Sequence, residues 1–274
     1  MANLKICVLS KDDSIKCEAS GMDEIWAVHQ GEYTPGDKIV FTTDDFPAFY
    51  ILRVDGAMEE AYLYLTQSQV EYVIPFEQGN PFRMDKMSYS LGTFVGERHY
   101  ITMRKAKEQE NHNYRNLAKN VMDHTESTGC YPHVHANVAT KGAIAPLFEA
   151  RNVIDGIVAN TSHWPWPFQS WGIDKRDDAE ITVEFGRPVD MDELRLYIRA
   201  DFPHDNWWIQ AKVSFSDGTS ELLELKRTTS AQVFPIKKEK ITWIKLGEFI
   251  KSDDPSEFPA LRQVEVYGRN SESK

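Results

Sequence analysis

The chain has almost no helical periodicity, few cysteines and no apolar run approaching bilayer length. Its three cysteines, Cys7, Cys17 and Cys130, form an odd set without metal-ligand spacing. They read as reduced thiols, which excludes a disulfide scaffold and a cysteine-zinc site. The opening stretch to Ser10 has one lysine and only a short apolar run before Lys11-Asp12-Asp13, too little for a signal-peptide core or a span. A cytoplasmic protein is expected from the sequence as it stands, and an extracellular one if a leader was removed. Clustered positive charge is also scarce. With 31 Lys and Arg against 42 Asp and Glu the net charge is −11, which argues against a nucleic-acid partner. The short run Lys237-Lys238-Glu239-Lys240 is diluted by acid and reads as a solvated strand end. No Gly-x-Ser-x-Gly, metal-ligand helix or phosphate loop occurs, so nucleophilic and phosphoryl chemistry lack a motif.

What the sequence has is short alternating segments. Ile181, Val183 and Phe185 lie on one face of 180–185 with Glu180, Thr182 and Glu184 on the other, before a predicted turn at Gly186-Arg187-Pro188. The segments 209–216, closing at Asp217-Gly218, and 194–198, 241–246 and 264–268 repeat this period of two. In the first half, 4–9, 24–28, 38–41, 49–54, 61–65, 71–74 and 100–104 read as strands. Pro35 and Gly36 suit the centre of a type II turn. Alternation with turns about every ten residues marks a sandwich or barrel. The one helical candidate is 113–122, with Tyr114, Leu117, Ala118 and Val121 on one face. A polar, turn-rich stretch near 123–132 sets the expected boundary. The fold class is all-β: two β-sandwich (jelly-roll) domains in tandem, 1–125 and 126–274, each of ordinary domain size.

The stretch 151–171 stands out. An Asn152-Val153-Ile154-Asp155-Gly156 turn leads into Trp164-Pro165-Trp166-Pro167, with Trp171 close behind. Proline fixes φ and removes a donor, so Trp-Pro-Trp-Pro is a loop rather than a helix interior or central strand. Its aromatics are either packed beneath a neighbouring element or shown to a partner.

Three segments then occur in order: Asn152-Val153-Ile154-Asp155-Gly156, Phe215-Ser216-Asp217-Gly218 and Val264-Glu265-Val266-Tyr267-Gly268. Together they resemble the coagulation factor 5/8 type C, or discoidin, family of galactose-binding-like domains, which includes many bacterial carbohydrate-binding modules. The likeness runs from about Tyr131 to Arg269. For the first half it is only a general likeness to jelly-roll sugar-binding modules. The resemblance implies a sandwich of two antiparallel sheets, ligand loops at one end and often a structural Ca2+; it does not imply catalysis. Carried onto this chain, the metal ligands are Asp155 and Glu265, with carbonyls of the loop after Gly156. The chain departs from the commonest pattern, because Ile157 and Val158 stand where an Asp or Asn usually follows the glycine. In the bland alternative Asp155 caps its own turn and Glu265 lies on a strand face.

Candidate ligand residues come from two loops. His163, Trp164 and Trp166 belong to the first; Arg199, His204, Asp205, Asn206 and Trp207 belong to a second, between the 194 and 209 strands. A sugar offers an apolar C–H face to an aromatic platform and a hydroxyl rim to directional polar groups, and both loops mix these types. One of Trp207 and Trp208 must point inward by alternation, and Trp171 also reads as core. His133 and His135 face the same way on a strand without a third ligand nearby, which favours a strand-surface pair over a metal site. Asp44-Asp45 and Glu59-Glu60 could serve glycoside hydrolysis only if two acids flanked one bond. The leading expectation is a non-catalytic carbohydrate-binding protein for a saccharide or glycoconjugate. The alternatives are an assembly protein whose aromatic loops form an interdomain or subunit interface, and a carbohydrate-active enzyme.

Overall fold

The structure, a computed structural model, describes residues 1–76, 88–124, 126, 129–142, 144–159, 166–200 and 205–272. It is all-β, as the alternation predicts. The first half supplies β1 (Asn3–Leu9), β2 (Ile15–Met22), β3 (Glu24–Gln30), β4 (Lys38–Thr43), β5 (Ala48–Arg53), β6 (Ala61–Leu65), β7 (Gln69–Val73) and β8 (Arg98–Lys105). A one-turn helix α1 (Glu108–Asn111) is followed by β9 (Arg115–Asn116), β10 (Cys130–Tyr131), β11 (His133–Ala136) and β12 (Trp171–Gly172). The remainder is β13 (Ile181–Ile198), β14 (Trp208–Phe215), β15 (Ser220–Glu224), β16 (Gln232–Phe234), β17 (Lys238–Lys251) and β18 (Ala260–Asn270).

Two sheets, β2-β1-β4-β7 and β10-β6-β5-β8-β3, face each other in the first half. The alternate residues of each strand fill the space between them; Leu4, Ile6 and Val8 of β1 and Ile25 and Ala27 of β3 are buried there. The Thr34–Asp37 turn forms as expected, with Gly36 at φ +91° and the Asp37 N–H on the Thr34 carbonyl at 3.0 Å. In the second half the strands run β12-β18-β13-β17-β14-β15, with β11 and β16 on β13 and β9 on β18. They enclose a separate core that includes Trp171, Phe185, Trp208 and Phe215.

The predicted turn at Gly186-Arg187-Pro188 is instead a bend inside one strand of 18 residues. The first part of β13 pairs with β17 and β11 (Ile181 with Leu246 and with Ala136), the second with β18 and β16 (Leu194 with Val266 and with Phe234). Gly186, at φ +67°, lets the strand turn from one layer of the sandwich into the other. The predicted helix at 113–122 is absent. The Asn116 carboxamide accepts the Ala118 and Val266 N–H groups, and that of Asn120 accepts the Met122 N–H. These local bonds compete with helical ones. Around the expected boundary, β9 joins the second network and β10 the first, so the link between the two cores extends over 115–131. Among the described residues no helix is long and apolar enough to cross a membrane.

The two sandwiches meet over an aromatic patch of the first, Phe49, Tyr62 and Tyr64. The guanidinium of Arg115 lies 4.1 Å from the Tyr62 ring centre and that of Arg187 5.1 Å from Phe49. Asn270 Oδ1 accepts from Arg115 Nη2 at 3.1 Å and Arg187 Nε at 2.9 Å, and Arg187 Nη1 donates to the Phe185 carbonyl at 2.6 Å. Both cations therefore combine ring stacking with hydrogen bonds. Arg187→Ala is expected to destabilise the protein by about 2–4 kcal/mol, read by urea unfolding, because stacking and buried hydrogen bonds are lost together. A second prediction concerns His124, whose ring stands 4.8 Å from Tyr72 and whose Nε2 has no partner among the described residues. Burial lowers its pKa from 6.5 to about 4. The unfolded chain then binds the proton first, so stability should fall as pH drops from 6.5 towards 4, and less so in His124→Gln. Thermal unfolding midpoints of the two proteins across that window measure it.

Candidate ligand site

Arg199 follows the last residue of β13, and its N–H donates to the Ala260 carbonyl at the start of β18 at 2.9 Å. Its side chain is buried. Nη1 donates to the Phe168 carbonyl at 2.6 Å, and Nε lies 3.3 Å from Asp205 Oδ2. One guanidinium thus ties the loop of the tryptophans to the loop forty residues later. Asp205 is buried with it, which gives the cation a counter-charge in place of water.

The other expected ligand residues divide. Asn206 is buried, and its carboxamide is committed to the protein. Nδ2 donates to the carbonyls of Asp254 and Ser256, and Oδ1 accepts from the Trp207 N–H and the Ser252 hydroxyl. It shapes the 252–256 loop. Trp207 is half-buried against the core with the Arg227 guanidinium 4.5 Å from its ring. Trp208 is core, stacked on Phe249 at 4.5 Å, and Trp171 is core with its indole N–H on the Val138 carbonyl. Trp166 lines a hollow at the junction of the two sandwiches. His163, Trp164 and His204 lie outside the described residues.

Beside the Arg199–Asp205 pair is a hollow of about 440 Å³ at the end of the second sandwich. Its walls are the loops of Ile144–Phe148, Gly172–Lys175 and Glu257–Ala260. Phe148 is set edge-on to Phe168, with centroids 6.3 Å apart. Phe258 is 51% exposed, with Lys175 Nζ 5.0 Å from its ring centre and paired to Glu257 at 2.6 Å. Asp174 and Lys175 both take positive φ, 49° and 62°. Such backbone is costly for residues with a Cβ and persists where the surroundings impose it. Gly172 is required by close approach, since a Cβ there would stand 2.6 Å from Thr140 Oγ1 and 3.2 Å from Phe148. Sequence reasoning passed over Phe258 and Lys175. Phe258-Pro259, an aromatic beside a proline in an acidic loop, carries the same signal as the tryptophan loop.

The expected calcium ligands are not brought together. Asp155 Oδ1 accepts from the Ile157 N–H at 2.8 Å, and Oδ2 from Gln169 Nε2 at 3.0 Å. Glu265 instead lies 3.9 Å from Arg195 Nη1 and 3.5 Å from the Tyr197 hydroxyl. The positive charge beside Asp155 is Arg262, fully buried, which donates to the carbonyls of Asn152 at 2.9 Å and Ala159 at 3.0 Å and lies 3.4 Å from Asp155 Oδ1. Burial pushes the Asp155 carboxyl up and the Arg262 guanidinium down, and each opposes the shift of the other. A guanidinium here holds the oxygens that a calcium shell would need, so these residues do not fit the ion. Among the described residues no group of three His, Cys, Asp or Glu could hold a metal. His133 departs from the expected surface pair: it is buried with Nδ1 2.9 Å from Asp123 Oδ1, while the exposed His135 pairs with Glu184. The paired acids are engaged separately, Asp44 with Asn3, Asp45 with Lys105, Glu59 with Lys119 and Glu60 with Arg53.

Arg262→Met should cost about 3–5 kcal/mol, because it leaves the buried Asp155 without its cation. Exchanging millimolar calcium for a chelator should leave the thermal midpoint of the native protein unchanged; a rise with calcium would show a site elsewhere.

No protein-family model and no curated protein matches the chain. Solved structures similar to it include the lectin domain of lectinolysin complexed with Lewis B antigen, at 15% identity and a TM-score of 0.41, covering 57% of this chain and 97% of that one. The chitosan-binding module of a chitosanase/glucanase from Paenibacillus sp. IK-5 gives 15%, 0.37, 56% and 98%. A Streptococcus pneumoniae fucose-binding module gives 13%, 0.40, 57% and 98%. A likeness at this level names no ligand and no site for this chain.

Proposed function

We propose that the chain is a non-catalytic saccharide-binding protein, and that the second sandwich takes the sugar in the hollow at the end of its strands. The observation that carries this is Phe258: a half-exposed ring at a concave site, with Lys175 against it and Glu257 beside it. An apolar ring face next to charged hydrogen-bonding groups is what a pyranose needs, since its C–H face loses little water and its hydroxyls need directional partners. The volume of about 440 Å³ lies within the range of small-ligand pockets, roughly 300–1,000 Å³. Arg199 and Asp205 line its floor and have a positioning role there: they tie the Phe168 carbonyl to the start of the 205 loop. The acids elsewhere are held singly by their own partners, which favours binding over hydrolysis.

The test is calorimetric titration of the full chain with fucose, Lewis b and chitosan oligomers, the sugars named for the similar structures. At least one is expected to bind, and Phe258→Ala and Lys175→Ala are each expected to weaken it by at least about tenfold, about 1.4 kcal/mol, without changing the thermal midpoint. Binding that ignores both substitutions would place the sugar elsewhere, and no binding of any of them would remove the reading.

A further inference from the structure

A second hollow, of about 220 Å³, lies between the two sandwiches. The turn of Ala57, Met58 and Glu59 and the segment of Tyr89 come from the first; Arg151, Asp155, Ile157 and Trp166 come from the second. It shares no lining residue with the end hollow.

Its charges are unevenly used. Asp155 is satisfied by the Ile157 N–H, Gln169 and Arg262, and Glu59 is paired with Lys119. The negative groups therefore already have partners. The donors do not. The indole N–H of Trp166 is buried and meets no acceptor among the described residues. Arg151 spends only Nε, on Glu149 at 2.8 Å, and its guanidinium lies 4.9 Å from the Tyr89 ring centre. Neither of its terminal nitrogens has an acceptor among the described residues. A buried donor without a partner costs free energy, and a guanidinium with its terminal edge unspent matches a carboxylate with two parallel bonds. The remaining wall mixes Met58, Val121 and Ile157 beside the Tyr89 ring with the hydroxyl residues Ser88, Ser90 and Thr93.

We infer that this junction hollow binds a single sugar-sized ring bearing a carboxylate, a uronic acid, with the carboxylate on Arg151 and an oxygen on the Trp166 indole N–H. The volume sets the size, being below the roughly 300–1,000 Å³ of drug-sized pockets. The unpaired donors set the charge, and the Tyr89 and Ile157 wall sets the ring. The ligand would also bridge the two sandwiches, because its contacts come from both.

The full chain is titrated by calorimetry with D-glucuronate, D-glucose and acetate. Glucuronate is expected to bind at one site, with glucose and acetate at least about tenfold weaker, since each lacks one half of the recognition. Arg151→Met should abolish glucuronate binding, and Trp166→Phe, which removes the N–H and keeps an aromatic ring, should weaken it several-fold. Arg151→Met also frees Glu149, so the Trp166→Phe protein, with its thermal midpoint as a check of folding, serves as the second arm. Phe258→Ala should leave glucuronate binding unchanged, which separates this site from the end hollow. Failure of wild-type protein to bind glucuronate, equal affinity for glucose or for acetate, or indifference to both the Arg151 and Trp166 substitutions would each overturn the inference.

Discussion

Two buried guanidinium groups hold the long segment between β11 and β12, and the candidate sites depend on them. Arg262 reaches the carbonyls of Asn152 and Ala159, and Arg199 reaches that of Phe168. Irregular backbone in a protein interior leaves carbonyls without ladder partners, and each one left unpaired is costly. Arginine suits this duty because its planar fork presents five donors and stays charged. The charge must in turn be met, and Asp155 and Asp205 meet it. Burial lowers the pKa of Arg262, Asp155 opposes that shift, and the nearby Arg199 adds to it.

From that frame come two hollows of different character. The one at the sandwich end has an exposed ring with a cation and an acid beside it. The one at the junction has its acids neutralised and its donors unspent. The same loop serves both: Phe168 lies under the first, and Trp166, two residues earlier, faces the second. Arg262 occupies the side of Asp155 where calcium ligands were expected, and braces the loop through its carbonyls.

Much of this was legible from alternation alone. Strands such as β6 and β8 have a buried face every second residue, and that period survives in the sequence. β2 was missed because none of its residues is fully buried; it is an edge strand, with Cys17 and Ala19 half-buried against the core. β13 was split in two because Gly-Arg-Pro reads locally as a turn, whereas pairing on both sides carries the strand through it. The 113–122 segment has a helical stripe, yet Asn116 and Asn120 spend their carboxamides on nearby N–H groups. In the sites, Arg199 and Asp205 could be singled out as charged residues in an aromatic loop. That Asn206 would be consumed by the 252–256 loop depended on a contact fifty residues away, which no local pattern encodes. Phe258 was equally hidden, because its value comes from Lys175, far off in the chain and set on a left-handed turn.

Amide shift mapping by NMR during titration with a saccharide tests the central claim most directly. If the arginine-braced loops form the sugar site, the shifts should centre on 172–175 and 257–260 and reach Arg199. Shifts confined to other surfaces, or none with fucose, Lewis b or chitosan oligomers, would contradict it.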